Sequence, residues 1–260
     1  MNGFKGPRNA RLRTPMRFVP FMLACVLGAC GGGGSGGGDD TPPPPTAAQV
    51  TLSGTISYTR VPYATDGFGL DYNNAVDQPA RGVVVEALSA SDAVLDSTVT
   101  DANGAYSLSV TENTDVKVRA KAQLLKTGTP AWDVTVTDNT QGNALYSLTG
   151  SLANSGTADS SRDLLAPSGW DDSSYSSTRA AAPFAILDTV YNAQQVYLDA
   201  QPDAIFDPLE LRWSENNITS NGSLESGEIG TTFYDANLQV VYVLGFENND
   251  TDEYDESVIA

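Results

Sequence analysis

The sequence predicts a mainly β protein, in which an antiparallel β-sandwich is followed by a smaller, incomplete α+β domain. Apolar and polar residues alternate with a period of two through residues 50–154, and turn-forming residues separate the runs. Residues 155–177 form a polar linker, after which apolar residues recur at helical spacing. Seven β-rich runs predict the sandwich: 50–58, 82–88, 94–100, 105–110, 116–122, 132–136 and 144–148.

The segment 178–260 is predicted to begin with one amphipathic helix. Thr178 is the expected cap, Pro183 falls in the first turns, and apolar residues from Phe184 to Leu198 follow helical spacing. A sheet should cover the apolar face, because the polar face lacks the basic residues that favour a membrane surface. Antiparallel strands are predicted at 209–213, 230–234 and 238–244.

Residues 250–260 read as the start of a second helix. Acidic residues crowd the first turn, where the helix dipole favours them, and the apolar pair Val258 and Ile259 follows. We expect that this helix continues beyond Ala260 and that the second domain is therefore truncated. An acidic, frayed tail is the alternative.

The first 30 residues have the organisation of a secretion signal. A basic start is followed by a short apolar run, which ends in Leu27-Gly28-Ala29-Cys30. The run is too short to span a bilayer, which takes about 20 apolar residues. An ordinary secretory peptide or a short buried helix is the alternative. Five basic residues make up the start: Lys5, Arg8, Arg11, Arg13 and Arg17.

Leu27-Gly28-Ala29-Cys30 resembles the lipobox of bacterial lipoproteins. The resemblance implies cleavage of residues 1–29 and acylation of Cys30, which would anchor the chain in a membrane. Residues 30–49 then serve as a tether, because their glycine-rich and proline-rich halves cannot bury a core. In that family an aspartate after the cysteine favours the inner membrane. Gly31 stands there in this chain and implies the outer membrane of the cell envelope.

Charge and composition narrow the partners and the chemistry. The 260 residues contain 14 basic and 32 acidic side chains, and removing residues 1–29 takes away five basic ones, which leaves a net charge of −23. We expect no nucleic-acid partner, since binding one requires clustered Lys and Arg. Anionic lipids would be repelled too, so the membrane contact should come from the acyl chains.

The chain has no histidine, and its two cysteines are Cys25 and Cys30. Cys25 would leave with the signal and Cys30 would be acylated. The folded part therefore has no thiol or imidazole for a nucleophile, a general base or a zinc site. We expect no cofactor and no catalytic residue in this chain.

The run Thr100-Asp101-Ala102-Asn103-Gly104-Ala105-Tyr106 is the most informative turn. Asn103-Gly104 favours a tight hairpin, and the Asp101 side chain can accept hydrogen bonds inside it. The pattern Thr-Asp-x-x-Gly-x-Tyr, after 79–83 and an apolar strand, resembles carboxypeptidase regulatory-like domains. The resemblance implies a transthyretin/Ig-like β-sandwich over roughly a hundred residues, of a type that is usually non-catalytic.

Three further features allow binding hypotheses. The aromatic segment between Arg60 and Gln78 is either a binding loop or a long hairpin packed over the sandwich edge, and we favour packing. Trp170, Trp213 and loop tyrosines allow a glycan- or protein-binding surface. Residues 217–228 have the Gly and Glu spacing of a calcium loop but little ligand charge, and a polar surface loop is favoured. The weak calcium candidates are Asn217, Thr219, Asn221, Glu225 and Glu228.

Residues 179–188, 227–231 and 252–260 resemble bacterial lipoproteins that carry a zincin-like metallopeptidase region. In that family the last segment runs into a His-Glu-x-x-His helix, which this chain lacks, so the resemblance assigns no catalytic residue here. The expected function is a lipid-anchored envelope protein with a non-catalytic β-sandwich module. The alternatives are the N-terminal part of a zinc metallopeptidase-like lipoprotein and a glycan- or protein-binding module.

Overall fold

The computed structural model describes residues 47–65, 69–247 and 250–260. They form a mainly β protein with two mixed sheets and one long helix, and a two-stranded hairpin lies near residue 250. The predicted signal, the lipobox-like run and nearly all of the predicted tether fall outside the described residues. No helix within the described ranges is both long and apolar enough to cross a bilayer.

The strands and helices of the described residues are numbered in chain order. The strands are β1 (Gln49–Arg60), β2 (Val76–Pro79), β3 (Val83–Ser89), β4 (Val94–Val99), β5 (Ala105–Thr111), β6 (Asp115–Lys126), β7 (Trp132–Asp138), β8 (Ala144–Leu145), β9 (Ser147–Thr149), β10 (Ala153–Asn154), β11 (Ser160–Ser161), β12 (Leu164–Ala166), β13 (Leu209–Trp213), β14 (Phe233–Asp235), β15 (Val240–Val243), β16 (Gly245–Phe246) and β17 (Asp250–Thr251). The α-helices are α1 (Ala182–Ala200) and α2 (Glu256–Ile259), and short 3-10 turns cover Tyr72–Asn74, Asn139–Gln141 and Leu224–Ser226.

The first sheet is built around β1. Strands β2 and β5 pair with it in antiparallel fashion, whereas β11 and β12 pair with it in parallel. The prediction of a purely antiparallel sheet is therefore wrong here. The physical reason is that the chain returns to β1 through a long excursion, which permits parallel pairing that a tight hairpin does not.

The sequence had led us to expect a polar linker at residues 155–177, but β11 and β12 within it pair with β1 in this sheet. Arg162 lies between β11 and β12 and holds the segment in place. Its guanidinium donates to the carbonyls of Val116 (2.6 Å), Ala153 (3.1 Å) and Asn154 (3.0 Å). Its own carbonyl accepts from the buried Tyr106 hydroxyl at 2.6 Å. One side chain thus connects the two sheets.

The second sheet has the strand order β14-β15-β13-β7-β6-β3-β4, with β8, β9 and β10 attached to β6 and β7. Strand β13 lies between β7 and β15 and is parallel to both. The predicted sandwich and the predicted α+β domain therefore share one sheet, and residues 46–260 form one compact unit without a boundary at 154. A crossover that includes α1 makes the parallel β7–β13 pair possible.

Both sheets and α1 contribute to one hydrophobic core. Leu52 and Ile56 of β1 are fully buried, as are Val136 of β7 and Ile186 of α1. Because α1 packs on β6 and β7, its N-terminal half is buried and its C-terminal half is largely exposed. The helix itself is confirmed, but Thr178 does not cap it, since Ala181 precedes its first residue without a side-chain hydrogen bond.

Two predicted polar caps are confirmed, but the hairpin predicted at Asn103-Gly104 is not, because the turn leads from β4, which pairs with β3, to β5, which pairs with β1 in the other sheet. The Asp101 carboxylate accepts from the backbone N–H groups of Asn103 (2.8 Å) and Ala105 (2.9 Å), and Gly104 has a φ of +74°. At the other end of the chain, Asp255 caps α2 by accepting from the backbone N–H groups of Ser257 and Val258. Short polar side chains next to free N–H groups explain both outcomes.

Candidate functional site

A buried ion pair lies at the start of α1. Arg179 comes from the loop before the helix, and Glu253 comes from the turn after β17. They are 5% and 0% exposed, respectively. Arg179 Nη2 donates to Glu253 Oε1, and Nη1 donates to the Gly245 carbonyl. A charge at this depth requires such partners, because burial without them costs several kcal/mol.

Aromatic rings enclose the Arg179 guanidinium. Its carbon lies 4.1 Å from the ring centre of Tyr175 and 5.2 Å from that of Trp213. The Tyr175 hydroxyl is 2.9 Å from the Tyr72 hydroxyl, and the Tyr72 ring stacks on Trp170 with ring centres 3.9 Å apart. Tyr72 belongs to the aromatic segment between Arg60 and Gln78. Tyr72 therefore packs against the protein, as the favoured interpretation requires, whereas Tyr63 of the same segment is 43% exposed.

Burial and the charge of the partner have opposite effects on the pKa values of Arg179 and Glu253. Burial raises the pKa of the Glu253 carboxyl, and the positive charge of Arg179 opposes the rise. Burial lowers the pKa of Arg179, but the Glu253 carboxylate and Tyr175 outweigh it and leave that pKa above its ordinary value. Arg179 Nε is buried and has no hydrogen-bond partner among the described residues. The pair is therefore held together by mutual charge in a place that disfavours each charge alone.

A cleft opens beside Arg179 between the start of α1 and the loop after β13. It consists of two adjoining cavities of about 320 and 450 Å³, which share Thr178, Arg179, Glu215 and Asn216. The first cavity has a mixed wall: Asp138, Gln141, Tyr146, Ser147, Ala180, Pro183, Phe184 and Trp213. The second is completed by Tyr175, Ser176, Ser177, Phe246 and Glu247.

The cleft is acidic. Asp138, Glu215 and Glu247 line it, and Arg179 is the only Lys or Arg among the described lining residues. Because Glu253 neutralises Arg179, the cleft keeps a negative charge and disfavours anionic ligands. Its chemistry suits a neutral or cationic ligand that donates hydrogen bonds to carboxylate and amide oxygens.

A pair of buried amides supports the loop that forms one wall of the cleft. Asn139 Nδ2 donates to Asn217 Oδ1 at 2.8 Å, and Asn217 Nδ2 donates back to Asn139 Oδ1 at 3.0 Å. Asn139 also reaches the Leu224 carbonyl at 2.6 Å, and Asn217 reaches the Val243 carbonyl at 2.8 Å. These bonds fix the backbone that carries Glu215 and Asn216 into the cleft.

The calcium candidates have different surroundings from one another. Asn217 is fully buried, and its oxygen already accepts from Asn139. The Glu228 carboxylate accepts from the Ser223 N–H at 2.9 Å, whereas Thr219, Asn221 and Glu225 are exposed. Within residues 47–65, 69–247 and 250–260, no three His, Cys, Asp or Glu side chains form a group that could hold a metal ion. The loop is closed by its own hydrogen bonds.

The remaining predicted site residues are placed as follows. Cys30 and the cleavage residues Leu27, Gly28 and Ala29 lie outside the described residues. Trp170 is half-buried in the aromatic cluster, and Trp213 is 2% exposed in the cleft wall. Sequence reasoning missed the Arg179–Glu253 and Asn139–Asn217 pairs. Arg179 and Glu253 do lie in the segments that carry the lipoprotein resemblance, but nothing in the sequence indicates that they meet.

The fold and the cleft together define a mainly β protein with mixed sheets and an acidic surface cleft. No protein-family model and no curated protein matches the chain. Among solved structures, the crystal structure of the major plantain pollen allergen Pla l 1 is 16% identical, with a TM-score of 0.24. That match covers 46% of this chain and 90% of the allergen chain, and it is too low in TM-score to support an argument.

Proposed function

We propose that this chain is a lipid-anchored, non-catalytic binding module of the bacterial cell envelope, held in the outer membrane through acylated Cys30. The lipobox-like run Leu27-Gly28-Ala29-Cys30 and the Gly31 that follows it support the anchor and its membrane. The glycine- and proline-rich residues that follow have the composition of a spacer between a membrane and a folded unit.

We further propose that the two sheets form a sandwich of the transthyretin/Ig-like type. The turn from Thr100 to Tyr106 supports this finer assignment, since the Asp101 carboxylate accepts hydrogen bonds inside it and Gly104 has a positive φ, as the pattern implies. Strands β11 to β15 are then additions to that sandwich. The same resemblance favours a binding or spacing module over an enzyme.

The single observation that carries the binding assignment is the cleft beside Arg179. It offers aromatic walls and the carboxylates of Asp138 and Glu215, while the buried carboxylate next to it, Glu253, is already bonded to Arg179. The sequence has no histidine and no cysteine after Cys30 to act as a base or nucleophile. Recognition therefore fits the residues present better than turnover.

Changing the acylated residue tests the anchor. A Cys30→Ser chain should move from the membrane fraction to the soluble fraction of the envelope, since its serine cannot be acylated. Cys25→Ser is the matched control, because Cys25 would leave with the signal and its replacement should keep the protein in membranes. Retention of Cys30→Ser in the membrane fraction, with Cys25→Ser behaving identically, would overturn the proposal.

A glycan is our candidate ligand for the cleft, because the cleft is lined by both polar and aromatic side chains. Sugar hydroxyls can donate to Glu215 and Asn216, and ring C–H groups can pack on Phe246, which is 37% exposed. Titration of the Cys30→Ser chain with a neutral and an acidic trisaccharide tests this. We expect the neutral sugar to bind and the acidic sugar not to bind. The double variant Glu215→Gln, Asn216→Ala should lose binding of the neutral sugar. No binding of either sugar removes the glycan candidate and leaves the anchor untouched.

A further inference from the structure

A second surface, away from the cleft, exposes large apolar side chains. Val196 of α1 and Ile205 after it are 73% and 70% exposed, the highest values among the described large apolar residues. Tyr197 of α1, Tyr234 of β14 and Leu238 before β15 are 52%, 54% and 54% exposed. Single exposed apolar residues are ordinary, but a group in one place indicates an interaction surface.

Three of these side chains, Tyr197, Tyr234 and Leu238, border one groove. A cavity of about 370 Å³ is lined by Tyr197 and Tyr234, and a second of about 260 Å³ is lined by Leu238. The two cavities adjoin because they share three lining residues: Pro208, Leu209 and Gln239. Phe206 also lines the first cavity, and its ring centre lies 5.4 Å from that of Tyr197. We call this surface the apolar groove.

The apolar groove also has a polar group near its base. Gln194 of α1 lines the first cavity and is 5% exposed. Its Oε1 is buried and has no hydrogen-bond partner among the described residues. A buried acceptor without a donor costs free energy, so a partner that brings an N–H or ammonium group to it would gain a hydrogen bond.

Charge restricts what the apolar groove can accept. Arg212 is the only Lys or Arg from residue 180 to residue 260, and it is bonded to Glu210 at 3.1 Å. Asp207 lines the groove, and Asp199 and Asp203 are exposed on the segment that leads into it. A second copy of this acidic chain and an anionic lipid surface would both be repelled.

We propose that the apolar groove docks a basic, amphipathic segment of a partner protein, with its apolar face in the groove and its Lys or Arg side chains against the surrounding aspartates. The Gln194 oxygen supplies an acceptor within the same contact. Such a helix-in-groove arrangement gains affinity from apolar anchors and orientation from charge. This assignment does not depend on the lipid anchor or on the cleft beside Arg179.

The test uses a synthetic helical peptide with one Leu face and one Lys face, titrated into the Cys30→Ser chain. Binding should shift the NMR signals of α1 residues 193–200 and of residues 233–240. A scrambled peptide of the same composition and a peptide with Glu in place of Lys should bind at least about tenfold more weakly. Salt that shortens the Debye length from about 10 to about 3 Å should weaken the complex.

Two variants separate apolar contact from charge. Tyr234→Asp with Leu238→Asp adds acid to the groove, so attraction by charge alone would hold or strengthen binding, whereas loss of these two apolar contacts should weaken it at least about tenfold. Asp203→Asn with Asp207→Asn should weaken it as well. Leu165→Asp, at a residue of β12 that is 46% exposed, is the matched control and should change nothing.

Three results would overturn the proposal. Equal binding of the scrambled peptide would show attraction by charge without a groove. Signal shifts confined to other residues would place the contact elsewhere. Binding of the Cys30→Ser chain to neutral phosphatidylcholine vesicles, lost when Tyr234→Asp and Leu238→Asp are added, together with no binding of the peptide, would assign the surface to lipid.

Discussion

Arg179 and Glu253 lie 74 residues apart in the sequence and form a buried ion pair at the start of α1. The pair connects the loop before the helix to the turn after β17, and the Gly245 carbonyl accepts the second guanidinium bond. Arg179 of the pair also lines the cleft. The same contact therefore stabilises the end of the chain and shapes the proposed binding site.

Breaking this pair from one side should be costly. Glu253→Ala leaves a buried guanidinium without its counter-charge and should lower the free energy of unfolding by about 3–5 kcal/mol. Arg179→Met combined with Glu253→Met buries no charge and should cost much less. Urea unfolding measures both. Glu256→Ala, which breaks the exposed Arg60–Glu256 pair (2.7 Å), is the control and should cost less than about 1 kcal/mol.

A second prediction concerns Gly104 in the turn from Thr100 to Tyr106. A Cβ there would lie 2.4 Å from the Ile56 carbonyl oxygen, and the φ of +74° already disfavours a side chain. Gly104→Ala should destabilise the protein by about 3 kcal/mol or more. Gly142→Ala has a similar φ of +66° with open space around it, and should cost only about 1 kcal/mol. Equal melting shifts for the two variants would contradict the steric explanation.

A third prediction concerns Asp188, which joins α1 to the first sheet. Its carboxylate accepts from the Tyr58 hydroxyl at 2.9 Å and from Arg81 Nε at 2.8 Å. Asp188→Ala should lower the free energy of unfolding by about 3 kcal/mol, since it leaves buried donors without an acceptor. In a double-mutant cycle with Tyr58→Phe, we expect a coupling of at least about 1 kcal/mol. Additive effects would show that the hydrogen bond contributes little.

A fourth prediction concerns alkaline pH. Burial raises the pKa of Tyr106 to about 12, with the Arg162 charge opposing and Asp163 adding to the rise. The unfolded chain ionises its tyrosines near 10, so the stability from this group is complete below about pH 10 and is lost as pH rises towards 12. Burial also raises the pKa values of Tyr58, Tyr146 and Tyr254.

The Tyr106→Phe variant checks this contribution. It should be about 1 kcal/mol less stable at neutral pH, because it loses the hydrogen bond to the Arg162 carbonyl. Its free energy of unfolding should then fall less steeply than that of the wild type between pH 10 and 12, the interval set by the pKa of Tyr106. Identical slopes in denaturant titrations would contradict the assignment of Tyr106 to the alkaline loss.

The sequence was sufficient for elements that are defined by local pattern. Strand β13 matches its predicted bounds, and the helix predicted after Thr178 is α1, although it begins at Ala182, three residues after the first residue that a Thr178 cap implies. Asp255 was recognisable as part of a helix start because its carboxylate has nearby N–H groups to accept. Hydrophobic periodicity and helix capping depend on residues that are close in the sequence, so both can be predicted from a single sequence.

The pairing of the strands and the residues of the candidate site could not be predicted from local sequence patterns. Strand β11 is two serines without alternation, and its pairing with β1 depends on Arg162 and other distant contacts. The parallel position of β13 between β7 and β15 joins residues that are far apart in the chain. The Asn139–Asn217 pair likewise forms between segments that are adjacent only in the fold. Such contacts have no periodic trace in the sequence.

Mass spectrometry of the N-terminal peptide from membrane-bound protein tests the central claim most directly. The proposed anchor predicts that the mature chain begins at Cys30, that residues 1–29 are absent, and that Cys30 carries acyl chains. A membrane-bound chain that retains residues 1–29, or one in which Cys30 is unmodified, would contradict the assignment of this protein as a lipid-anchored envelope module.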